Sequence, residues 1–71
     1  MKNYPHLIFE KETPIVVSST GFSSDVIPEA IALADFRGQK VTLRMEMKEM
    51  EILPGANFDV EWEKWVVIRQ Q

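Results

Sequence analysis

Cysteine is absent from the sequence, which excludes disulfide bonds and thiolate metal sites. Histidine occurs once, at His6, so a histidine metal cluster has too few ligands and a catalytic triad lacks a well-held base. No apolar run approaches the ~18 residues of a membrane span, and the N-terminus lacks the apolar core of a signal peptide. These absences predict a soluble, cytoplasmic protein without a metal or other cofactor.

The length and charge of the chain narrow its class further. Its 71 residues predict a single domain over 1–71, and 45% hydrophobic residues are too many for a disordered chain. The net charge of −3 argues against direct binding to nucleic acid, which calls for a basic patch. So small a core, without disulfides or metal, favours a homodimer or a protein partner.

The first third of the chain predicts short strands and a loop. Residues 1–6 are expected to be loose, with His6 a free terminal histidine, because Pro5 removes a backbone donor. Residues 7–9 and 15–17 are strands that either pair or follow one another, and 10–13 is a hairpin turn or a solvated strand face. The Ser/Thr/Gly cluster over 18–24 is a loop.

A helix is predicted over 26–37. Ser24 or Asp25 caps it, Pro28 falls in its first turn, and Gly38 ends it. Apolar residues cover most of its circumference, with Ile31 among them. The sheet can cover only one side of such a helix. Either a second surface such as a partner chain covers the rest, or the alanines face water as good helix formers.

Two alternating runs, 41–52 and 58–68, flank the turn-rich segment 53–57 and predict neighbouring antiparallel strands. The alternation slips near Glu49, where the first strand either carries a β-bulge or has already ended near Lys48. The run 65–68 is apolar on both faces, which fits a covered strand. The predicted fold is therefore α+β: a single antiparallel sheet of three to four strands with one helix packed on one face, in the order β(β)αββ.

The distribution of charge is the sequence feature that bears most directly on function. Between residues 46 and 63 there is one base, Lys48, and six acids: Glu46, Glu49, Glu51, Asp59, Glu61 and Glu63. On two paired strands these carboxylates would share an exposed face, which is either a solvated surface that prevents aggregation or a surface complementary to a basic groove. Met45, Met47 and the two tryptophans are either plain core or interface anchors.

Three segments resemble the phage uracil-DNA glycosylase inhibitors, small acidic proteins that mimic DNA. Glu10-Lys11-Glu12-Thr13 precedes a β-branched run, Ile27-Pro28-Glu29 opens a helix, and Trp62-Glu63-Lys64-Trp65 leads into an apolar end. In that family the strand that follows the first segment ends in a carboxylate, whereas this chain has Ser18, Ser19 and Thr20 at the corresponding positions. The resemblance implies that these three residues enter the enzyme's groove, that Glu29 adds charge, and that Met45 and Met47 line an apolar pocket.

Together these patterns predict a non-enzymatic inhibitor that binds the basic groove of a nucleic-acid-processing enzyme. The candidate partner-binding residues are Ser18, Ser19, Thr20, Glu29, Met45, Met47, Glu49, Glu51, Asp59, Glu61 and Glu63. The alternative is a small structural or regulatory module that self-associates through the apolar helix or the 65–68 edge.

Overall fold

The computed structural model describes residues 3–71 and has the element order ββαββα. The strands are β1 (Leu7–Glu12), β2 (Ile15–Ser19), β3 (Val41–Met45) and β4 (Lys48–Ile52), and the helices are α1 (Ser23–Arg37) and α2 (Phe58–Arg69). The four strands form one sheet in the order β1-β2-β3-β4. The α+β class and the number of strands are thus confirmed.

The sheet is mixed, so the prediction of a purely antiparallel sheet is wrong. The outer pairs β1–β2 and β3–β4 are antiparallel hairpins, while β2 and β3 run parallel at the centre. Because parallel neighbours need a crossover, α1 connects them across one face of the sheet. The carboxyl ends of β2 and β3 consequently lie at the same edge of the sheet as the start of α1.

The N-terminal hairpin settles one of the open alternatives: the strands over 7–9 and 15–17 pair with each other. Phe9 pairs with Val17, and the register shifts by one residue between Phe9 and Lys11, as in a β-bulge. The chain reverses at Thr13–Pro14, whose peptide bond is cis. Residues 10–12 continue the first strand, and only 13–14 form the turn.

The segment before β1 is better ordered than its sequence indicates. The prediction for residues 1–2 lies outside the described residues. Tyr4 packs against the core, and its carbonyl accepts a 3.1 Å hydrogen bond from the Leu7 N–H. His6 is hydrogen-bonded to Glu29, so the prediction of a free terminal histidine is wrong.

Helix α1 begins three residues before its predicted start. The carbonyl of Phe22, whose backbone is extended, accepts from the N–H groups of Asp25 and Val26. Asp25 therefore lies inside the first turn rather than capping it, and Pro28 falls in the second turn. At the other end Gly38 adopts φ 63° and donates to the Ala34 carbonyl, which confirms the predicted stop.

The prediction of a strand over 41–52 is wrong because the chain reverses in its middle. Met45 pairs with Lys48, and the two residues between them, Glu46 and Met47, have φ of 50° and 65°. Two residues with positive φ are the pattern of a type I′ hairpin turn. The slip in the alternation therefore marks a turn, and neither a bulge near Glu49 nor a strand end near Lys48 describes it.

The prediction of a second antiparallel strand over 58–68 is also wrong, because this segment is helix α2. The side-chain oxygen of Asn57 accepts from the N–H groups of Asp59 and Val60, at 2.9 and 3.3 Å, and caps the helix. Trp65 and Glu61, one turn apart, face inward and are buried. Residues 3–71 thus form two helices, and segments 41–52 and 58–68 do not pair as strands.

The core lies between the sheet and the two helices. Helix α1 contacts β1, β3 and β4, and α2 packs beside it against β4. The buried apolar side chains are Leu7, Ile15, Val17, Val26, Ile27, Ala30, Leu33, Ala34, Val41, Leu43, Met45, Met50, Ile52 and Trp65. Each of the two alternatives for α1 thus holds in part, because α2 of the same chain covers a second side of it and Ala32 faces water. The opposite face of the sheet is open to solvent.

Neither helix described over residues 3–71 has the length and apolar character that crossing a bilayer requires.

Candidate functional site

A cleft of about 500 Å³ opens at the edge of the sheet where β2 leads into α1 and β3 leads into its turn. It is lined by Ser19, Thr20, Gly21, Phe22, Ser23, Arg44, Met45, Glu46 and Arg69. In open sheets with parallel strands, ligands bind outside the carboxyl ends of the strands. The parallel pairing of β2 with β3 creates that situation here.

The loop that forms one wall of the cleft is held from behind by His6. The Thr20 N–H donates to the His6 carbonyl over 2.9 Å, and Ser19 donates through its hydroxyl to the Gly21 carbonyl over 2.9 Å. A Cβ on Gly21 would lie 2.7 Å from the His6 ring, so only glycine lets the loop approach this closely. The loop thus has a fixed conformation set by its neighbours.

Glu29 in turn fixes His6. One of its carboxylate oxygens accepts from the His6 N–H at 2.9 Å, and the other lies 2.5 Å from His6 Nδ1. This hydrogen bond raises the pKa of His6 above 6.5, aided by the charges of Glu29 and Asp25 and opposed by desolvation. Glu29 therefore supports the cleft from within the fold, whereas the resemblance implied that it faces a partner.

Two large apolar side chains stand exposed beside the cleft. Phe22 lines it and is 80% exposed. Met47 follows the lining residue Glu46 at the tip of the β3–β4 turn and is fully exposed. Phenylalanine and methionine are enriched at protein interfaces relative to the rest of the protein surface.

The cationic side chains of the cleft differ in their surroundings. Arg44 lies across the open face of the sheet, 3.2 Å from a carboxylate oxygen of Glu10 and 3.5 Å from one of Glu49. Arg69, in the last turn of α2, makes no ion pair with any of residues 3–71. Arg69 is therefore the cation of the cleft that is available to an incoming carboxylate.

The structure brings together three of the predicted binding residues, Ser19, Thr20 and Met45, in the lining of the cleft. Met47 lies beside them on the turn. Met45 itself is buried, so it forms the base of the cleft. Ser18 points to the open face of the sheet, where its hydroxyl donates to Glu10, and is separate from this group.

The predicted acidic face is wrong, because it depended on two strands of which one is a helix. Glu49 and Glu51 lie on the open face of the sheet, where Arg44 and Lys40 lie within 3.5 Å of their carboxylates. The others are dispersed: Glu46 on the turn, Asp59 and Glu63 on exposed sides of α2, and Glu61 buried.

Glu61 is the buried carboxylate of α2, and Lys64 Nζ lies 2.8 Å from its Oε1 atom. The two charges are in contact, although Oε1 has no hydrogen-bond partner within residues 3–71. The Lys64 ammonium also donates to the Glu51 carbonyl over 3.0 Å. Glu61 is thus a structural residue, held under Lys64.

Sequence reasoning missed Phe22, Arg44 and Arg69 as residues of the cleft. They are 22 or more residues apart along the chain, and no local pattern links them. The pairing of β2 with β3 and the return of α2 bring them together. Within residues 3–71 no group of three acidic or histidine side chains is arranged to hold a metal ion.

Comparison of the chain with protein-family models, with curated proteins and with solved structures gave no match.

Proposed function

We propose that this chain is a small non-enzymatic protein-binding module that engages its partner with the cleft and its two exposed anchors, Phe22 and Met47. The observation that carries the proposal is their exposure beside a concave surface whose wall is fixed by hydrogen bonds. A binding surface needs apolar anchors, a shape that is formed in advance, and polar groups around them. Ser19, Thr20 and Arg69 supply the polar groups.

The specific form that we propose is an inhibitor that occupies the groove of a nucleic-acid-processing enzyme, with uracil-DNA glycosylase as the first candidate. The resemblance to the glycosylase inhibitors supports it, as does the clustering of Ser19, Thr20 and Met45. The net charge of −3 would favour encounter with a basic groove. In this form the attraction comes from the charge of the whole molecule and not from one acidic face.

Uracil excision from single-stranded DNA by purified glycosylase tests the inhibitor form. We expect a molar excess of the chain to slow excision, with weaker inhibition at high salt because screening reduces the attraction. Replacing Phe22 and Met47 by serine should weaken inhibition by about tenfold for each side chain. If the chain left the excision rate unchanged at both low and high salt, the glycosylase would be excluded as the partner.

Affinity capture from a lysate tests the module itself, whatever the partner. The wild type is compared with the Phe22→Ser/Met47→Ser double variant and with Phe36→Ser. Phe36 is a matched control because it is also 80% exposed but lies at the far end of α1 from the cleft. A partner retained by wild type and Phe36→Ser, and lost by the double variant, fits the proposal. Equal capture by all three would contradict it.

A further inference from the structure

The outward face of α2 carries a short stripe that the fold does not use. Val60, Glu63, Lys64 and Val67 have the spacing i, i+3, i+4, i+7, which places them on one face of a helix. The opposite face buries Trp65 and Glu61 in the core. Both valines of the stripe are 56% exposed. The stripe thus has apolar ends and a charged centre.

The composition of this stripe is unfavourable for an isolated solvent-exposed helix. Valine loses side-chain freedom in a helix, so it is a weaker helix former than alanine, lysine or glutamate. Here two valines lie where packing against the core does not require them. A shallow, mostly apolar groove of about 360 Å³ is lined by three residues of the stripe, Glu63, Lys64 and Val67, together with Ile68. A covering surface would account for these side chains.

We infer that this stripe pairs with the same stripe of a second copy of the chain, with the two α2 helices antiparallel. A two-fold axis through the midpoint between residues 63 and 64 brings into opposition residues equally distant from that point. Val60 then faces Val67 of the second copy, and Glu63 faces its Lys64. Because the axis repeats each contact, the stripe sets valine against valine and carboxylate against ammonium twice over.

The contacts that Lys64 makes within the chain are compatible with this pairing. Its ammonium lies 2.8 Å from Glu61 and donates to the Glu51 carbonyl over 3.0 Å. The Glu51 carbonyl takes one of the three N–H donors of the ammonium, and the contact with Glu61 takes one more at most, so at least one donor remains for a carboxylate of the second copy. Lys64 is half exposed at this point, and Glu63 is exposed. The ion pair across the axis therefore adds to the internal contacts without replacing them.

The small size of the contact sets the affinity that we expect. One face of a 12-residue helix buries less than the ~1,200 Å² typical of the smallest stable interfaces. The dimer should therefore be weak and form with a dissociation constant on the order of 100 µM. This inference is independent of the proposed function, because α2 presents this stripe on a surface other than the cleft.

Sedimentation equilibrium of the full chain from about 10 µM to 1 mM tests the inference, since a weak interface populates over that range. The mass of the wild type should rise toward that of a dimer, whereas Val67→Glu and Val60→Lys should each remain monomeric. An equimolar mixture of these two variants should dimerise again, because the lysine introduced in one chain would face the glutamate introduced in the other. Ile8→Lys is the matched control: Ile8 is 54% exposed on the sheet, and its replacement should leave the dimer unchanged.

Three results would overturn the inference. These are a wild type that stays monomeric at the highest concentration, a Val67→Glu variant that dimerises as well as the wild type, and a mixture that gains no dimer over its components. The last result would exclude the antiparallel register in particular. Both valines are exposed, so their replacement should not unfold the chain, and circular dichroism of each variant verifies this.

Discussion

His6 and Glu29 are joined twice: the Glu29 carboxylate accepts from the His6 N–H at 2.9 Å, and its other oxygen lies 2.5 Å from His6 Nδ1. The backbone carbonyl of the same histidine accepts a hydrogen bond from the Thr20 N–H. One residue thus connects the segment before β1, the loop of the cleft and helix α1. The state of this pair should therefore influence both stability and the shape of the cleft.

The His6–Glu29 pair predicts a pH dependence of stability. The pKa of His6 is raised in the folded protein, chiefly by its hydrogen bond to Glu29, and is near 6.5 when the chain is unfolded. The folded state therefore binds the proton more tightly. Protonated His6 therefore stabilises the fold. This stabilisation is complete below about pH 6.5 and is lost as the pH rises through the raised pKa. Urea unfolding across this range should show a fall in the free energy of unfolding.

Glu29→Gln is the control for that prediction, since the amide keeps the size of the side chain and removes its charge. The variant should lose the fall in stability above about pH 6.5, and the pKa of His6 measured by NMR should drop. Parallel stability curves for wild type and variant would show that the pair does not produce the pH dependence.

Gly21→Ala should destabilise the fold because the added methyl group collides with His6, and not because of the backbone conformation of residue 21. The new Cβ would meet the His6 ring at 2.7 Å, and Glu29 prevents the ring from simply turning away. We expect a loss of about 1–2 kcal/mol in the free energy of unfolding, as for other overpacked sites. In the His6→Ala background the same substitution should cost much less. An equal cost in both backgrounds would contradict this explanation.

The sequence was informative where a single residue determines the backbone. Gly38 ended α1 as predicted, because a left-handed residue is needed there and glycine adopts it freely. The β3–β4 turn was missed because it too needs positive φ but uses Glu46 and Met47, which give no such signal. Two short strands were therefore interpreted as one long strand.

Helix α2 was missed because its first six residues satisfy both periods. Phe58, Val60 and Trp62 alternate with acids, as on a strand. Glu61, Trp65 and Ile68 instead have the i, i+4, i+7 spacing of one helix face, and this is the inward face of α2. The residue that distinguishes the helix from a strand is Asn57, because its side chain caps the helix. The acidic face depended on this element and failed with it, whereas Ser19, Thr20 and Met45 lie together because they depend on β2 and β3.

Trp65 should be the side chain whose loss costs most. It is completely buried between α2 and the remainder of the core, so Trp65→Ala should lower the free energy of unfolding by about 3–5 kcal/mol. Its indole Nε1 has no hydrogen-bond partner within residues 3–71, so Trp65→Phe loses volume but no hydrogen bond and should cost less. Trp62→Ala, at a partly buried site, is the comparison. Urea unfolding that ranked Trp62 above Trp65 would contradict this packing.

The β3–β4 turn predicts opposite effects on stability and binding. The backbones of Glu46 and Met47 have φ of 50° and 65°, which residues other than glycine and asparagine adopt at a cost. Asn-Gly is the favoured pair for such a turn, so Glu46→Asn/Met47→Gly should stabilise the fold by about 1–2 kcal/mol. The same change removes the fully exposed Met47 anchor and should weaken partner capture about tenfold. Thermal unfolding and capture by the double variant measure the two effects. If stability rose while capture stayed the same, Met47 would have no part in binding.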